Sequence, residues 1–126
     1  MISGSRTATN SDYATLKTEL DKLTISEILH GGAVGFDALS ERYATENRIP
    51  TKVIRPDYGK HGGKLAPLMR NLELVQLSDF VICFYSCVAP ERTNGTCHTA
   101  KTAAKARKLL KEVWTRENSV FSGSLF

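Results

Sequence analysis

The feature that most constrains the fold is a run of apolar residues at positions 80–85, Phe-Val-Ile-Cys-Phe-Tyr. A strand that is apolar on both faces is typical of a parallel sheet that helices cover on both sides. The rest of the chain must therefore provide further strands to pair with this one and helices to cover both of its faces.

Strand and helix patterns alternate along the chain as this requires. Short apolar runs predict the other strands, at residues 1–3, 25–30, 51–55 and 112–115. Between them, apolar residues recur at the three- and four-residue spacing of one helix face: Tyr13, Leu16, Leu20 and Leu23, then Phe36, Leu39 and Tyr43, then Leu65, Leu68, Met69, Leu72 and Val75. Asn10 or Ser11 is predicted to cap the first helix. The alternation predicts an α/β fold with a mostly parallel sheet and helices on both faces.

Length and composition fit one domain over residues 1–126, because a chain of this size can bury a real core. Hydrophobic residues make up 41% of the chain and charged residues 24%, which is ordinary for a soluble globular protein. No apolar run approaches the roughly 20 residues that span a bilayer. The first residues also lack the basic-then-apolar layout of a signal peptide. We therefore expect a cytoplasmic protein with no membrane partner.

The cysteines argue against a disulfide framework and against a metal site. Cys83, Cys87 and Cys97 are an odd number, and Cys83 lies in the apolar run at positions 80–85. A disulfide framework is not expected in a single domain with a sizeable core. The spacing of Cys87, Cys97 and His98 matches no common zinc pattern. We therefore predict no metal site and no required cofactor.

The net charge of +4 raises the question of nucleic-acid binding. Much of the positive excess lies near the C-terminus, on Lys101, Lys105, Arg107, Lys108 and Lys111. Lys101, Lys105 and Lys108 are predicted to share one solvated face of a helix, and a footprint on a phosphate backbone is the alternative. No aromatic residues interleave with these cations, as they do in proteins that bind single strands. We therefore do not expect nucleic acid as a partner.

Four loops with unusual chemistry follow the predicted strands, at residues 4–7, 30–37, 60–71 and 86–96. Ligands of open parallel sheets bind outside the carboxyl ends of the strands, so we expect these loops to face one crevice. The glycine turn of Gly31, Gly32 and Gly35 would let backbone approach a ligand closely and would aim free N–H groups at an anion. The alternative is that these glycines only shape a tight turn between strand and helix.

Charged and amide side chains in the same loops suit a nucleotide or a nucleotide-derived ligand. Arg6 and Arg70 are candidate ligands for phosphate or carboxylate, and Asp37 and Asn71 could bond ribose hydroxyls or a base edge. The alternatives are that Asp37 does no more than complement a helix N-terminus and that Arg70 pairs with Glu73. The predicted ligand-binding residues are Gly4, Ser5, Arg6, Gly31, Gly32, Ala33, Gly35, Asp37, Arg70, Asn71, Asn94, Gly95 and Thr96.

In content and order these motifs resemble those of the SLOG superfamily, and most closely its small YspA-like members related to the YpsA branch. The motifs are Gly4-Ser5-Arg6, Gly31-Gly32-Ala33-x-Gly35-x-Asp37, Gly63-Lys64-x-Ala66-Pro67-x-x-Arg70-Asn71, Ser78-Asp79-Phe80 and Gly95-Thr96. The resemblance covers residues 1–110. It implies a Rossmann-like three-layer sandwich with strand order 3-2-1-4-5. It also implies a single domain that binds a nucleotide-type ligand such as NAD, ADP-ribose or a cyclic nucleotide.

One departure from the superfamily bears on catalysis. The LOG phosphoribohydrolases that this chain resembles carry the motif Pro-Gly-Gly-x-Gly-Thr-x-x-Glu, whose Glu serves in cleaving an N-glycosidic bond. Thr99 stands at that position here, and it cannot supply a carboxylate to an oxocarbenium-like transition state. Asp37 or Glu91 could in principle replace it.

The resemblance thus implies a non-catalytic binder, either a sensor or a sponge that a phage would use in the host cytoplasm to sequester an immune signal. The alternatives are a hydrolase or ribosyl-transferring enzyme of the LOG type and a DNA-associated protein of the DprA type.

A short first strand suggests association between chains. Only three residues precede Gly4, which is few for a central strand. Val120, Phe121, Leu125 and Phe126 lie in a tail at residues 116–126 that also contains glycine and serine. Apolar residues of this kind often mark an interface. We therefore expect a homo-oligomer whose tail is either flexible or at the interface.

Overall fold

Strands and helices alternate along the chain in the computed structural model, which describes residues 1–86 and 95–115. The elements are β1 (Ile2–Gly4), α1 (Asn10–Leu20), β2 (Ile28–His30), α2 (Phe36–Glu46), β3 (Thr51–Val53), α3 (Tyr58–His61), α4 (Leu65–Leu77), β4 (Val81–Tyr85), α5 (Gly95–Lys105) and β5 (Leu109–Trp114). The predicted α/β fold with parallel strands is confirmed. The tail at residues 116–126, on which the predicted homo-oligomer depends, lies outside the described residues.

The predicted strand order 3-2-1-4-5 in one sheet is wrong. The strands form two parallel sheets, one with the order β1-β4-β5 and one that pairs β2 with β3. The backbone beyond β1 explains the division. The N–H of Ser5 donates to the carbonyl of Phe84 in β4, at 3.1 Å, but the carbonyl of Ser5 accepts from Phe36 at the start of α2, at 3.2 Å. The chain after β1 is therefore hydrogen-bonded to α2, whereas in a continuous sheet it would be hydrogen-bonded to β2.

Strand β4 carries the core of the protein on both faces, as the apolar run predicts. Ile82 and Phe84 belong to one cluster of buried side chains, which α1 and α2 cover. The intervening Val81, Cys83 and Tyr85 belong to a second cluster, to which α4 and α5 contribute. The ring of Phe84 stacks on that of Phe36 with centroids 5.2 Å apart. Helices therefore cover both faces of the strand.

Some predicted boundaries shift by a few residues. The N-cap of α1 is Thr9, whose N–H donates to the Asp12 carboxylate at 3.0 Å, so the predicted caps at Asn10 and Ser11 are wrong. Phe80 precedes β4 and is 62% exposed. The short helix α3 lies between β3 and α4, where no helix is predicted, and the Asp57 side chain there accepts from the N–H of Lys60.

The predicted basic helix face is shorter than expected. Helix α5 ends at Lys105, and Arg107 has a φ of 60°. Lys108 therefore does not share the face of Lys101 and Lys105. Its ammonium group donates instead to the carbonyls of Val75 and Gln76, at 2.9 and 3.1 Å. That contact meets the partial negative charge at the C-terminus of α4. Among the described residues, no helix is long and apolar enough to cross a membrane.

The burial pattern predicts very different costs for two leucine truncations. Leu16 in α1 is fully buried, whereas Leu77 at the end of α4 is 51% exposed. Leu16→Ala should lower the free energy of unfolding by about 2–5 kcal/mol, because it leaves a cavity in the core. Leu77→Ala should change it by about 0.5 kcal/mol or less. Urea unfolding followed by circular dichroism measures both, and equal losses would contradict the described core.

Candidate functional site

A cavity of about 400 Å³ lies at the carboxyl end of β1, beside the first turns of α2, α4 and α5. Its lining residues are Ser3, Gly4, Ser5, Arg6, Thr7, Ala33, Asp37, Pro67, Arg70, Asn71, Gly95 and Thr96. The structure thus brings most of the predicted ligand-binding residues together on one wall. Three of them, Gly31, Gly32 and Gly35, do not line the cavity, and Asn94 lies outside the described residues.

Arg70 is the central charged side chain of this cavity. It lies on α4 and is only 7% exposed. Its Nε donates to Oδ1 of Asn71 and its Nη1 to the carbonyl of Gly31, both at 2.7 Å. No described residue accepts a hydrogen bond from its Nη2. The guanidinium is therefore held in one orientation with donor capacity left for a ligand.

Asp37 braces the glycine turn from inside. Its Oδ2 accepts hydrogen bonds from the N–H groups of Gly31 and Ala33, at 3.2 and 3.1 Å. Burial raises the pKa of the Asp37 carboxyl, and the bond from Ala33 and the charge of Arg70 act in the opposite direction. Asp37 thus has a structural role at the turn, while its other carboxylate oxygen accepts from none of the described residues.

The amides of the glycine turn are already in use. Asp37 accepts from the N–H groups of Gly31 and Ala33. The N–H of Gly32 donates to Nδ1 of His30 at 3.0 Å. The prediction that the turn presents free N–H groups to an anion is therefore wrong for Gly31, Gly32 and Ala33. An anion in this cavity has to be bound by side chains and by other elements.

Close contacts within the protein account for two of the glycines. A Cβ at Gly31 would overlap the guanidinium of Arg70. Gly35 has a φ of 81°, and a Cβ there would overlap the carbonyl oxygen of Ser5 and the backbone of Arg6. The absence of a side chain lets Arg70 reach the turn and lets the turn cross the end of β1.

The electrostatics of the cavity favour an anion. Burial lowers the pKa of Arg70; the Asp37 carboxylate raises it, and the positive charge of Arg6 lowers it. Two guanidinium groups therefore act on each other across the cavity. Gly95 and Thr96 add the N-terminus of α5, which carries a partial positive charge. A bound anion would reduce the mutual repulsion of the two arginines.

Hydroxyl groups tie the loop after β1 to the end of β4. Oγ of Ser5 accepts from the N–H of Ser86 at 3.2 Å. The hydroxyl oxygens of Thr7 and Ser86 lie 2.6 Å apart. These bonds fix the loop that carries Arg6 at the mouth of the cavity.

Thr99, the residue at the position expected for the LOG carboxylate, does not line the cavity. It is fully buried in α5, and its hydroxyl donates to the carbonyl of Gly95 at 3.0 Å. Within residues 1–86 and 95–115, no group of three His, Cys, Asp or Glu side chains is placed to hold a metal ion. Cys87 and Glu91 lie outside the described residues.

Two side chains that sequence reasoning left without a role shape the turn. His30 is buried and binds the Gly32 amide, and Nη1 of Arg55 donates to the Gly32 carbonyl at 3.0 Å. Both lie at the carboxyl ends of strands, His30 as the last residue of β2 and Arg55 just after β3. His30 lies in the loop at residues 30–37 predicted at this edge of the sheet, and the position of Arg55 just after a strand is the signal that marks it as a neighbour of the same loops.

The fold and this cavity are those of an α/β protein consistent with a Rossmann-like fold. Residues 1–61 match the model of a family described as YAcAr, the YspA, cpYpsA-related SLOG family. This match supports membership of the SLOG superfamily, which suggests a nucleotide-related function. No curated protein and no solved structure matches the chain.

Two glycines with nearly the same positive φ provide a test of the close contact at the turn. Gly35 and Gly62 have φ values of 81° and 79°, but a Cβ at Gly62 would meet nothing within 4 Å. Gly62→Ala should cost about 1–3 kcal/mol for its positive φ alone. Gly35→Ala should cost about 1–3 kcal/mol more, because the backbone at Ser5 and Arg6 must move. Urea unfolding compares the two, and equal losses would contradict the contact.

Proposed function

We propose that the protein binds a nucleotide-derived anion in this cavity and holds it without cleaving it. The observation that carries the proposal is the fixed guanidinium of Arg70, which is buried at the cavity wall and whose Nη2 donates to none of the described residues. A buried cation with unused donors is costly to maintain unless a partner neutralises it. A phosphate group has the charge and the acceptor oxygens to do so.

The arrangement suggests which part of the ligand lies where. Arg6, Arg70 and the N-terminus of α5 would hold phosphate. Asn71 accepts from Arg70 with its Oδ1, so the hydrogen-bond network assigns its NH₂ group as a donor for the ligand. Asp37 retains one carboxylate oxygen for a ribose hydroxyl. A volume of about 400 Å³ falls within the usual range for small-molecule sites.

The lack of a carboxylate available for catalysis among the described residues favours holding the ligand over cleaving it. Cleavage of a ribosyl bond needs a carboxylate to stabilise the developing positive charge or to orient water. Among the described residues, Asp37 is the one carboxylate that lines the cavity, and it braces the turn. Thr99 is buried and hydrogen-bonded within α5. A binder of this kind would act as a sensor of its ligand or as a sponge that sequesters it.

Recovery of the ligand distinguishes holding from cleavage. The protein is incubated with AMP, NAD, ADP-ribose and cyclic dinucleotides in turn, then separated from free nucleotide and denatured by heat. Mass spectrometry of the released material should show one of these intact. Release of a converted product would establish the LOG-type enzyme as the correct alternative, and recovery of none of them would contradict this ligand class.

Removal of one cation tests the anion site. Arg6 and Lys52 are exposed, and neither makes a hydrogen bond or an ion pair with a described residue, so truncation of either should leave stability unchanged. Arg6→Ala should weaken binding of the recovered nucleotide about 10- to 100-fold, because a charge-assisted hydrogen bond is lost. Lys52→Ala on β3 is the matched control, and it should change the affinity by about twofold or less. Isothermal titration calorimetry measures both, and equal affinities would exclude Arg6 from the site.

A further inference from the structure

We propose that His30 is a positioning residue for this site, and that the site is formed fully only when the ring of His30 is neutral. The inference rests on the proposed function for its effect on ligand affinity. Its structural part, a turn whose shape depends on the protonation of one buried ring, stands on the geometry of His30 alone.

The two ring nitrogens of His30 have different partners, and these define one tautomer. Nδ1 accepts the N–H of Gly32 at 3.0 Å, so it cannot carry a proton. The proton is therefore on Nε2, which donates to Oε1 of Glu41 at 2.9 Å. His30 is only 3% exposed, so water cannot readily replace either bond.

The Gly32 amide lies between two attachments of the turn to the cavity. On one side, Gly31 gives its N–H to Asp37 and its carbonyl to Arg70. On the other side, Ala33 gives its N–H to the same Asp37 oxygen. Asp37, Arg70 and Ala33 all line the cavity. A change in the orientation of the Gly32 peptide is thus transmitted to three lining residues through directly bonded neighbours.

A second proton on the ring would break this arrangement. The new Nδ1–H would point at the Gly32 N–H, so that two donors would face each other and the turn would have to rearrange. The carboxylates of Glu41 and Asp37, both on α2, favour a charged ring. The guanidinium groups of Arg70 on α4 and of Arg55 after β3 oppose it. Protonation of the ring removes the acceptor of the Gly32 amide, so ligand affinity should fall as the pH is lowered.

Two substitutions separate the two bonds of the ring. In His30→Asn the side-chain carbonyl oxygen takes the place of Nδ1, so it can accept from Gly32 without titrating. In His30→Gln the amide reaches toward Glu41 but offers no acceptor at the position of Nδ1. A purely structural role would make the two variants alike, whereas the proposed role makes Asn functional at every pH and Gln defective at every pH.

Nuclear magnetic resonance tests the structural part without any ligand. In ¹⁵N-labelled protein, the amide signals of Gly32 and Ala33 should shift together with the ring signals of His30 as the pH is lowered from about 8 to about 5.5. The same amides of His30→Asn should show no such transition. A His30 ring that titrates while the Gly32 amide stays constant would overturn the inference, as would a ring that does not titrate over this range.

ADP-ribose serves as the probe for affinity, because each phosphorus of its diphosphate bridge has one ionisable oxygen, which stays deprotonated over this range, unlike a phosphate monoester with a second pKa near 6. The wild type should bind it about five- to tenfold more weakly at pH 5.5 than at pH 8, which corresponds to one lost hydrogen bond. His30→Asn should lose this dependence. Equal pH dependence in both proteins would overturn the inference. A failure of ADP-ribose to bind at pH 8 would count against the proposed ligand class, while the amide titration would still decide the role of His30.

Discussion

The site depends on one buried linkage, in which Arg70 reaches over a residue without a side chain to bond the glycine turn. The guanidinium donates to the Gly31 carbonyl at 2.7 Å, and the amides on either side of Gly32 converge on Asp37. Helix α4 is thereby fastened to the turn between β2 and α2. Any side chain at position 31 would occupy the space of the guanidinium, so the glycine and the arginine depend on each other. The cavity exists because these two parts of the chain are held at a fixed separation.

This linkage has an electrostatic cost that a ligand would relieve. Arg70 and Asp37 are each 7% exposed, and burial lowers the pKa of the arginine and raises that of the aspartate. Both shifts mean that burial disfavours the charged forms. The nearby charge of Arg6 adds repulsion rather than relief. Ionisable groups whose pKa values are shifted by burial and by a specific charged neighbour are commonly found at functional sites. Arg70 and Asp37 are two such groups.

Much of the fold follows from the sequence, because it depends on patterns that a single element carries. The apolar run at positions 80–85 correctly predicted a strand buried on both faces. The two arginines predicted from separate loops, Arg6 and Arg70, line one cavity, whereas Gly31, Gly32 and Gly35 do not. Which strands β1 and β2 pair with could not be predicted in this way. Each has three residues, and the partner of such a strand is decided by contacts far along the chain, here the bond between Ser5 and Phe36. Likewise, a glycine shows that something approaches closely, but whether this is a ligand or the Arg70 side chain depends on tertiary structure.

The division into two sheets bears on which parts of the protein unfold locally together. Strands β2 and β3 share a ladder with each other and none with β1 in the described part of the chain. The two sheets are joined by a shared core of side chains and by the backbone bond from Phe36 to Ser5. Cooperative units of local unfolding usually follow hydrogen-bonded substructures. We therefore expect the β2–β3 pair and the β1-β4-β5 sheet to behave as separate units in amide hydrogen exchange. The Arg70 side chain connects α4 to the carbonyls that follow β2 and β3. A ligand bound across Asp37 and Arg6 would join the two units into one and slow exchange throughout the β2–β3 pair.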